Sequence, residues 1–308
     1  MASVHYLQPA SSFDLQAWSN QPGTVIGATY LEGDGQHKTW LSGNFTHDGN
    51  TVTGGQIFSA SWSYGDTALL SIDYVKFDAV TAANATPAQL VQLLQQGNDT
   101  VYGTSSSDRF YSTPGNNTYN GDADGSKSLD TIVYTGDKSS LSVTHTTNSS
   151  GNLSLYQVRI EGKVDTLNGV ERIEMGDGSV LALDVNAGEN AGSAYRLYQA
   201  AFDRKADTAG LNYWTKELDG GTSLVGVANS FINSDEFKAL NPGSDQNALI
   251  NGFYQHVLHR DADAPGLEYW NTQMSNGMSA SGVLVSFSES QENIANVAGQ
   301  LNAGVWLV

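Results

Sequence analysis

The chain has 308 residues, 32 acidic against 14 basic for a net charge of −18, with 33 glycines and no cysteine. That balance excludes a nucleic-acid binder that neutralises phosphates with a basic patch, and the missing thiols exclude disulfides, thiolate metal sites and cysteine catalysis. With 15% charged residues and so much glycine, turn-rich β structure is expected ahead of a helical enzyme, in a chain long enough for two or three domains.

The first residues, MASVHYLQPASSF, lack a basic region followed by an apolar run, so no secretory signal peptide is read there. No stretch approaches the roughly 18 apolar residues of a membrane span. Residues 1–94 read as an N-terminal β domain with a capping helix. Leu41 to Tyr64 alternates around two expected turns, at Asp48-Gly49-Asn50 and Gly54-Gly55, and Ala68 to Phe77 continues with β-branched and aromatic residues. Thr81 to Gln96, with Pro87 in its first turn and Leu90, Val91, Leu93 and Leu94 on one face, reads as a single short helix that covers the open end of the adjoining β segment.

Residues 95–187 carry a different rhythm. Asp99-Thr-Val101, Asp108-Arg-Phe110 and Asn117-Thr-Tyr119 each place an oxygen-bearing residue two positions before an apolar one, at intervals of nine. Such nonapeptides build a short parallel β-roll whose Gly/Asn/Asp turns offer hard oxygen ligands to calcium (Ca2+). The copies are degraded, with Ser105-Ser106-Ser107 and Pro114-Gly115-Asn116 where richer glycine belongs. Asp122, Asp124 and Asp130 are expected to form an adjacent metal site, since converging carboxylates are poorly tolerated without a cation. Leu141 to Gly162 reads as a hairpin turning at Asn148 to Asn152, and Val164 to Val185 as another strand pair turning at Asp177-Gly178.

After a linker at Asn186 to Gly192, the period changes from two to 3.6. Residues 193–300 contain an internal duplication at an offset of 56: Tyr198, Arg204, Asp207, Gly210, Leu211, Tyr213, Trp214, Ser230, Phe231, Ser234 and Glu236 recur as Tyr254, Arg260, Asp263, Gly266, Leu267, Tyr269, Trp270, Ser286, Phe287, Ser290 and Glu292. Each copy reads as three helices. Asp207 and Asp263 stand as N-caps of the second, with Arg204 and Arg260 reaching back to them, and Ser223 and Ser279 cap the third. Trp214 and Trp270 read as core residues rather than sugar platforms. The apolar tail 301–308 reads as a C-terminal export signal in preference to a packed tail.

Catalytic signatures do not emerge. The histidines His5, His37, His47, His145, His256 and His259 form no HExxH, and no nucleophile elbow, phosphate loop or dinucleotide fingerprint is present, so a non-enzyme is expected. His256 and His259, three apart, read as helix-surface groups.

Two resemblances rest on these motifs. GNDTVYG, the nine-residue spacing and VDTLNGVERIEMGDGSV resemble RTX-type calcium-binding proteins of Gram-negative bacteria over roughly residues 95–185. The resemblance implies Asp99, Asp108 and Asn117 at the calcium-binding position, Gly97, Gly103, Gly115, Gly121 and Gly125 in the turns, and Val101, Phe110 and Tyr119 inside. It further implies release by type I secretion machinery without an N-terminal signal peptide, and folding driven by external calcium. The duplicated Arg-x-x-Asp-x-x-Gly-Leu-x-Tyr-Trp and Ser-Phe-x-x-Ser pattern resembles a helical domain of unknown function, DUF4214, found in secreted bacterial and S-layer-like proteins. The expected fold is therefore multidomain: a mainly-β N-terminal region with a short parallel β-roll, followed by an all-α C-terminal domain. The expected role is that of an extracellular or cell-surface calcium-binding structural, adhesion or matrix-assembly protein, homo-oligomeric or matrix-associated. The rival is a binding protein that captures a small molecule or glycan near Trp40, Trp62 or Tyr64 of the N-terminal domain.

Overall fold

A computed structural model describes residues 2–8, 24–26, 29–33, 36–122, 128–147, 154–242 and 245–308. The chain divides into two compact units, Met1–Asp177 and Gly178–Val308. The first is a mixed β region with parallel strand pairings, and the second is helical.

In the first unit, β1 (Ser3–Tyr6) is followed by β2 (Thr24–Ile26), β3 (Thr29–Gly33), β4 (His37–Asp48), β5 (Thr51–Tyr64), β6 (Thr67–Asp73) and β7 (Phe77–Asp78). Strands β2 to β6 pair antiparallel in succession, and β6 continues onto β1. The β4–β5 hairpin turns at Gly49, whose φ of 56° lies in the left-handed region. Gly54-Gly55 is not a second turn. Both glycines lie inside β5, paired with Thr46 and Phe45 beside a register shift at Thr46/His47. A side chain on Gly55 would meet the Asn44 carbonyl, so glycine here serves an irregular ladder rather than a chain reversal.

The segment expected as one helix is two, α1 (Ala79–Ala83) and α2 (Pro87–Leu94). Proline cannot extend a helix that precedes it but fits a first turn. Thr86 and Gln89 close a capping box around that turn, and α2 buries Leu90 and Leu94.

The roll then alternates between two sheets. Strands β8 (Thr100–Tyr102), β10 (Thr118–Asn120) and β14 (Lys163–Asn168) run parallel on one side; β9 (Arg109–Tyr111), β11 (Thr131–Val133) and β15 (Arg172–Glu174) run parallel on the other. Val101, Tyr119 and Leu167 form one inward column; Phe110, Ile132 and Ile173 form the opposing one, and all six are buried. The Phe110 and Tyr119 rings meet between the sheets at 5.8 Å. Strand β1 pairs parallel with β8, setting Val4 beside Val101, so the antiparallel strands and one face of the roll share a sheet.

Between β11 and β14 the expected strands β12 (Ser142–Thr147) and β13 (Ser154–Ile160) pair antiparallel and join the same sheet beside β14, while the turn expected at Asn148 to Asn152 lies outside the described residues. Val164 to Val185 holds more than the expected strand pair. β14 and β15 belong to opposite faces and add a further coil, because Leu167 and Ile173 each fill an inward column, and the expected turn at Asp177-Gly178, where Gly178 has a φ of 83°, follows β15.

The second unit begins with β16 (Val180–Ala182) and then contains α3 (Asn190–Phe202), α4 (Thr208–Asp219), α5 (Leu224–Asn233), α6 (Asp235–Leu240), α7 (Gln246–Leu258), α8 (Ala264–Ser275), α9 (Ala280–Ser288) and α10 (Gln291–Leu301). Helices α3 to α6 and α7 to α10 are the two copies, so each has four helices rather than three. The fourth starts at Ser234 or Ser290, whose hydroxyls accept the Phe237 and Asn293 N–H groups at 3.2 Å. One apolar cluster, including Leu197, Phe231, Phe253, Val283 and Phe287, runs through both copies. The tail is packed: β17 (Val305–Trp306) pairs antiparallel with β16, and Leu301, Val305 and Leu307 are buried.

Candidate metal centre and helical repeat

Of the residues expected to bind calcium, Asp99, Asp108, Asn117 and Asp130 lie at equivalent places in the coils, each just ahead of a strand and buried. The first oxygens of Asp99, Asn117 and Asp130 already have partners. Asp99 Oδ1 accepts the Ala2 backbone N–H at 2.6 Å, Asn117 Oδ1 accepts that of Asp99 at 2.8 Å, and Asp165 Oδ1 accepts that of Asn117 at 2.8 Å. On the other face Asp130 Oδ1 accepts the Asp108 N–H and Glu171 Oε2 accepts the Asp130 N–H, both at 2.7 Å. An outer rung repeats the scheme, with Asn98 Oδ1 accepting from Asn116 N–H and Asn116 Oδ1 from Val164 N–H, each at 2.8 Å. A buried N–H without an acceptor is costly, and these side chains supply one where the short strands end. Asp99, Asn117 and Asp130 are thus ladder residues of the solenoid, and Asp108 joins the ladder through its backbone N–H. Asp165 and Glu171 belong to the same ladders and do not stand out in the sequence, although Asp165-Thr-Leu167 and Glu171-Arg-Ile173 repeat the acid-to-apolar spacing.

The second oxygens differ from coil to coil. Asp108 Oδ2 accepts the Thr104 N–H at 2.6 Å and its hydroxyl at 3.0 Å. Asp165 Oδ2 takes the Tyr134 hydroxyl at 3.0 Å and faces Lys163 Nζ at 3.3 Å. Asp99 Oδ2 is buried with no hydrogen-bond partner among the described residues. Ser128 donates to Asp122 Oδ1 at 2.7 Å and also lies 3.3 Å from Asp130 Oδ2.

Asp130 has the most strained electrostatics of the set. Burial pushes its carboxyl up to about 7, and the neighbouring Asp108 and Asp122 carboxylates add to the rise. Backbone oxygens crowd the same place. An ideal Cβ on Gly121 would lie 1.8 Å from the Gly169 carbonyl oxygen and 2.3 Å from Asp130 Oδ2, so only glycine fits there. Gly103 is similarly close to the Gly121 carbonyl and Asp108 Oδ2, and Gly115 to the Gly97 carbonyl. Asp122, Asp130 and the Gly169 carbonyl offer oxygen there, the chemistry that calcium takes, and are the groups that would hold it. Among the described residues no group of three or more His, Cys, Asp or Glu side chains has the spacing to hold a metal ion. Asp124 and Gly125 lie outside the described residues.

In the N-terminal strands, Trp62 is fully buried, and Tyr64 packs on His37 at 5.1 Å. Trp62 is therefore a core group and presents no face to a ligand.

In the helical unit the duplicated residues occupy duplicated positions. Asp207 Oδ1 and Asp263 Oδ1 accept the Gly210 and Gly266 N–H groups, both at 2.8 Å, and Ser223 and Ser279 accept those of Gly226 and Gly282, both at 3.1 Å. The arginines reach further than the caps. Arg204 pairs with Glu236 at 2.7 Å and stands 3.8 Å from Asp207, while Arg260 pairs with Glu292 at 3.2 Å. Each guanidinium also lies over the repeated tyrosine, Tyr198 at 5.0 Å and Tyr254 at 4.8 Å. Trp214 and Trp270 are partly buried and rest on Phe231 at 4.9 Å and Phe287 at 5.0 Å. A profile described as "Domain of unknown function (DUF4214)" matches residues 189–241 and 228–297. These residues form a DUF4214-like domain. Its two matches correspond to the two four-helix copies and overlap across α5 and α6. Comparison of the chain with curated proteins gives no match.

The copies are tied by a contact that is not duplicated. Arg196, on the first helix of the DUF4214-like domain, donates to both carboxylate oxygens of Glu289 at 2.8 and 2.7 Å, and to the Val185 and Asn186 carbonyls. At the positions 56 residues away stand Gly252 and Asn233, so the cross-tie has no counterpart.

Proposed function

We propose that this chain is a secreted calcium-binding structural protein of a bacterial surface or matrix, with a non-catalytic role in adhesion or assembly. The observation that carries the reading is Asp130, buried beside Asp108 and Asp122 with its carboxyl pushed up to about 7. A divalent cation among Asp122, Asp130 and the Gly169 carbonyl would favour the ionised form that burial opposes. Asp108, Asp165 and Glu171 act as hydrogen-bond acceptors within the roll.

In this reading the type I secretion machinery exports an acidic chain that is weakly folded at low calcium, and external calcium consolidates the coils around Asp130. The DUF4214-like domain supplies the surface that meets other copies or matrix components. The resemblance of the roll to RTX-type proteins supports export and calcium use, and the absence of catalytic motifs in the sequence supports a structural role.

Thermal unfolding with calcium and with chelator tests the proposal. Calcium is expected to raise Tm of the purified chain, and Asp122→Asn/Asp130→Asn is expected to remove that response. A Tm indifferent to calcium, together with no bound metal by elemental analysis, overturns it.

A further inference from the structure

The DUF4214-like domain contains a depression of about 420 Å3 bounded by α3, α7 and α10, within the range of small-molecule sites, about 300–1,000 Å3. We propose that it binds a small neutral polyhydroxylated ligand of the saccharide class. The site is separate from the roll and independent of the calcium reading.

The lining selects against charge. In a chain of net charge −18, no Asp, Glu, Lys or Arg among the described residues borders this depression. An ionic ligand entering it would lose water without gaining a counter-charge. What the lining offers instead are groups that donate and accept: the amides of Gln199, Asn296 and Gln300 and the imidazoles of His256 and His259. Hydroxyls do both as well, so a polyol can match every one of them.

Two of these groups are set for a ligand. Gln199 Oε1 is buried with no hydrogen-bond partner among the described residues, which costs stability unless a donor reaches it. Gln300 Oε1 accepts the Tyr195 hydroxyl at 2.7 Å, which fixes the amide and leaves its NH2 to donate. Val257 and Val297 supply an apolar floor suited to the C–H face of a sugar ring. The domain's duplication adds an independent argument. Among the residues shared by the copies, Asp207 and Asp263 cap helices, Arg204 and Arg260 pair charges and Phe231 and Phe287 fill the core, whereas His256 and His259 stand where the first copy has Ala200 and Asp203. The depression is therefore a difference between the copies, and repeated packing does not account for it.

The test uses the full chain, titrated with glucose, galactose and N-acetylglucosamine, and with glucuronate as a charged control, by calorimetry and NMR shift mapping. At least one neutral sugar is expected to bind with a Kd tighter than about 10 mM and to shift Gln199, His256 and Asn296. Asn296→Ala, at an exposed position, is expected to weaken binding about tenfold with Tm unchanged, and Gln199→Ala to weaken it by at least as much. Failure of all three neutral sugars to bind, shifts confined elsewhere, unchanged affinity in both variants, or tighter binding of glucuronate overturns the proposal.

Discussion

Asn117 Oδ1 accepts the Asp99 backbone N–H at 2.8 Å across 18 residues of sequence. The same side chain donates through Nδ2 to the Thr113 carbonyl at 3.1 Å, so one amide joins two coils and braces its own turn. Replacing it by Asn117→Leu strands the buried Asp99 N–H, while the Thr113 carbonyl keeps Lys163 Nζ at 2.8 Å. The expected loss is about 1–3 kcal/mol by chemical denaturation, the scale of one unsatisfied group. A loss below about 0.5 kcal/mol, the scale of a neutral surface change, would deny the ladder its energetic role.

Asp130 makes stability depend on pH with a definite sign. Its carboxyl is raised from 3.8 to about 7, so between those values the folded chain holds more protons than the unfolded one. The contribution is complete below the unfolded value and is lost as pH rises through about 7. Asp130→Asn keeps the oxygen that accepts the Asp108 N–H but cannot ionise. Without calcium the variant is expected to be more stable than the parent at about pH 8, by on the order of 2 kcal/mol, and to have a flatter profile down to about pH 5. Parallel profiles of parent and variant would remove Asp130 from the titration.

Glu289 and Glu236 both pair with arginine, yet their removal is expected to differ widely. Arg196 is 1% exposed and would keep a buried charge without its carboxylate after Glu289→Ala, at a cost of about 3–5 kcal/mol. Arg204 and Arg260 are open to solvent, so Glu236→Ala should cost less than about 1 kcal/mol, and Glu292→Ala should likewise cost far less than Glu289→Ala. Urea denaturation of the three variants gives the ranking, and equal losses would refute it.

Two glycines separate crowding from flexibility. Gly121→Ala forces a methyl group against the Gly169 carbonyl, with an expected loss of at least about 3 kcal/mol. Gly299 lies within α10 with open space around it, so Gly299→Ala should stabilise by about 0.4–1 kcal/mol. Melting curves of the two variants should move in opposite directions.

The sequence revealed the helical duplication because its repeated residues do repeated local work: Asp207 and Asp263 cap, Phe231 and Phe287 fill, and Ser223 and Ser279 start helices. The coil formed by β14 and β15 was hidden because the β12–β13 hairpin separates Asp165-Thr-Leu167 from the nine-residue rhythm. Ladder and ligand were inseparable for a physical reason. Both place an oxygen-bearing side chain two positions before an inward apolar residue, and only the folded coils show whether that oxygen meets an N–H. The fourth helix of each copy had a readable signal in Ser234 and Ser290, each followed within two residues by an acid. The depression at Gln199 had none, since its lining comes from three helices distant in sequence.

The inward residues Val101, Phe110, Tyr119, Ile132, Leu167 and Ile173 are separated by 9, 9, 13, 35 and 6 positions, yet their two columns stay in register. Register is fixed by rungs between neighbouring coils, so the arcs joining the strands are free to change length. Such a stack is a chassis with exchangeable outer parts. New segments can be grafted onto an arc, as the β12–β13 hairpin illustrates, while the inner columns remain as they are, and a lineage can alter what it displays without redesigning what holds it up.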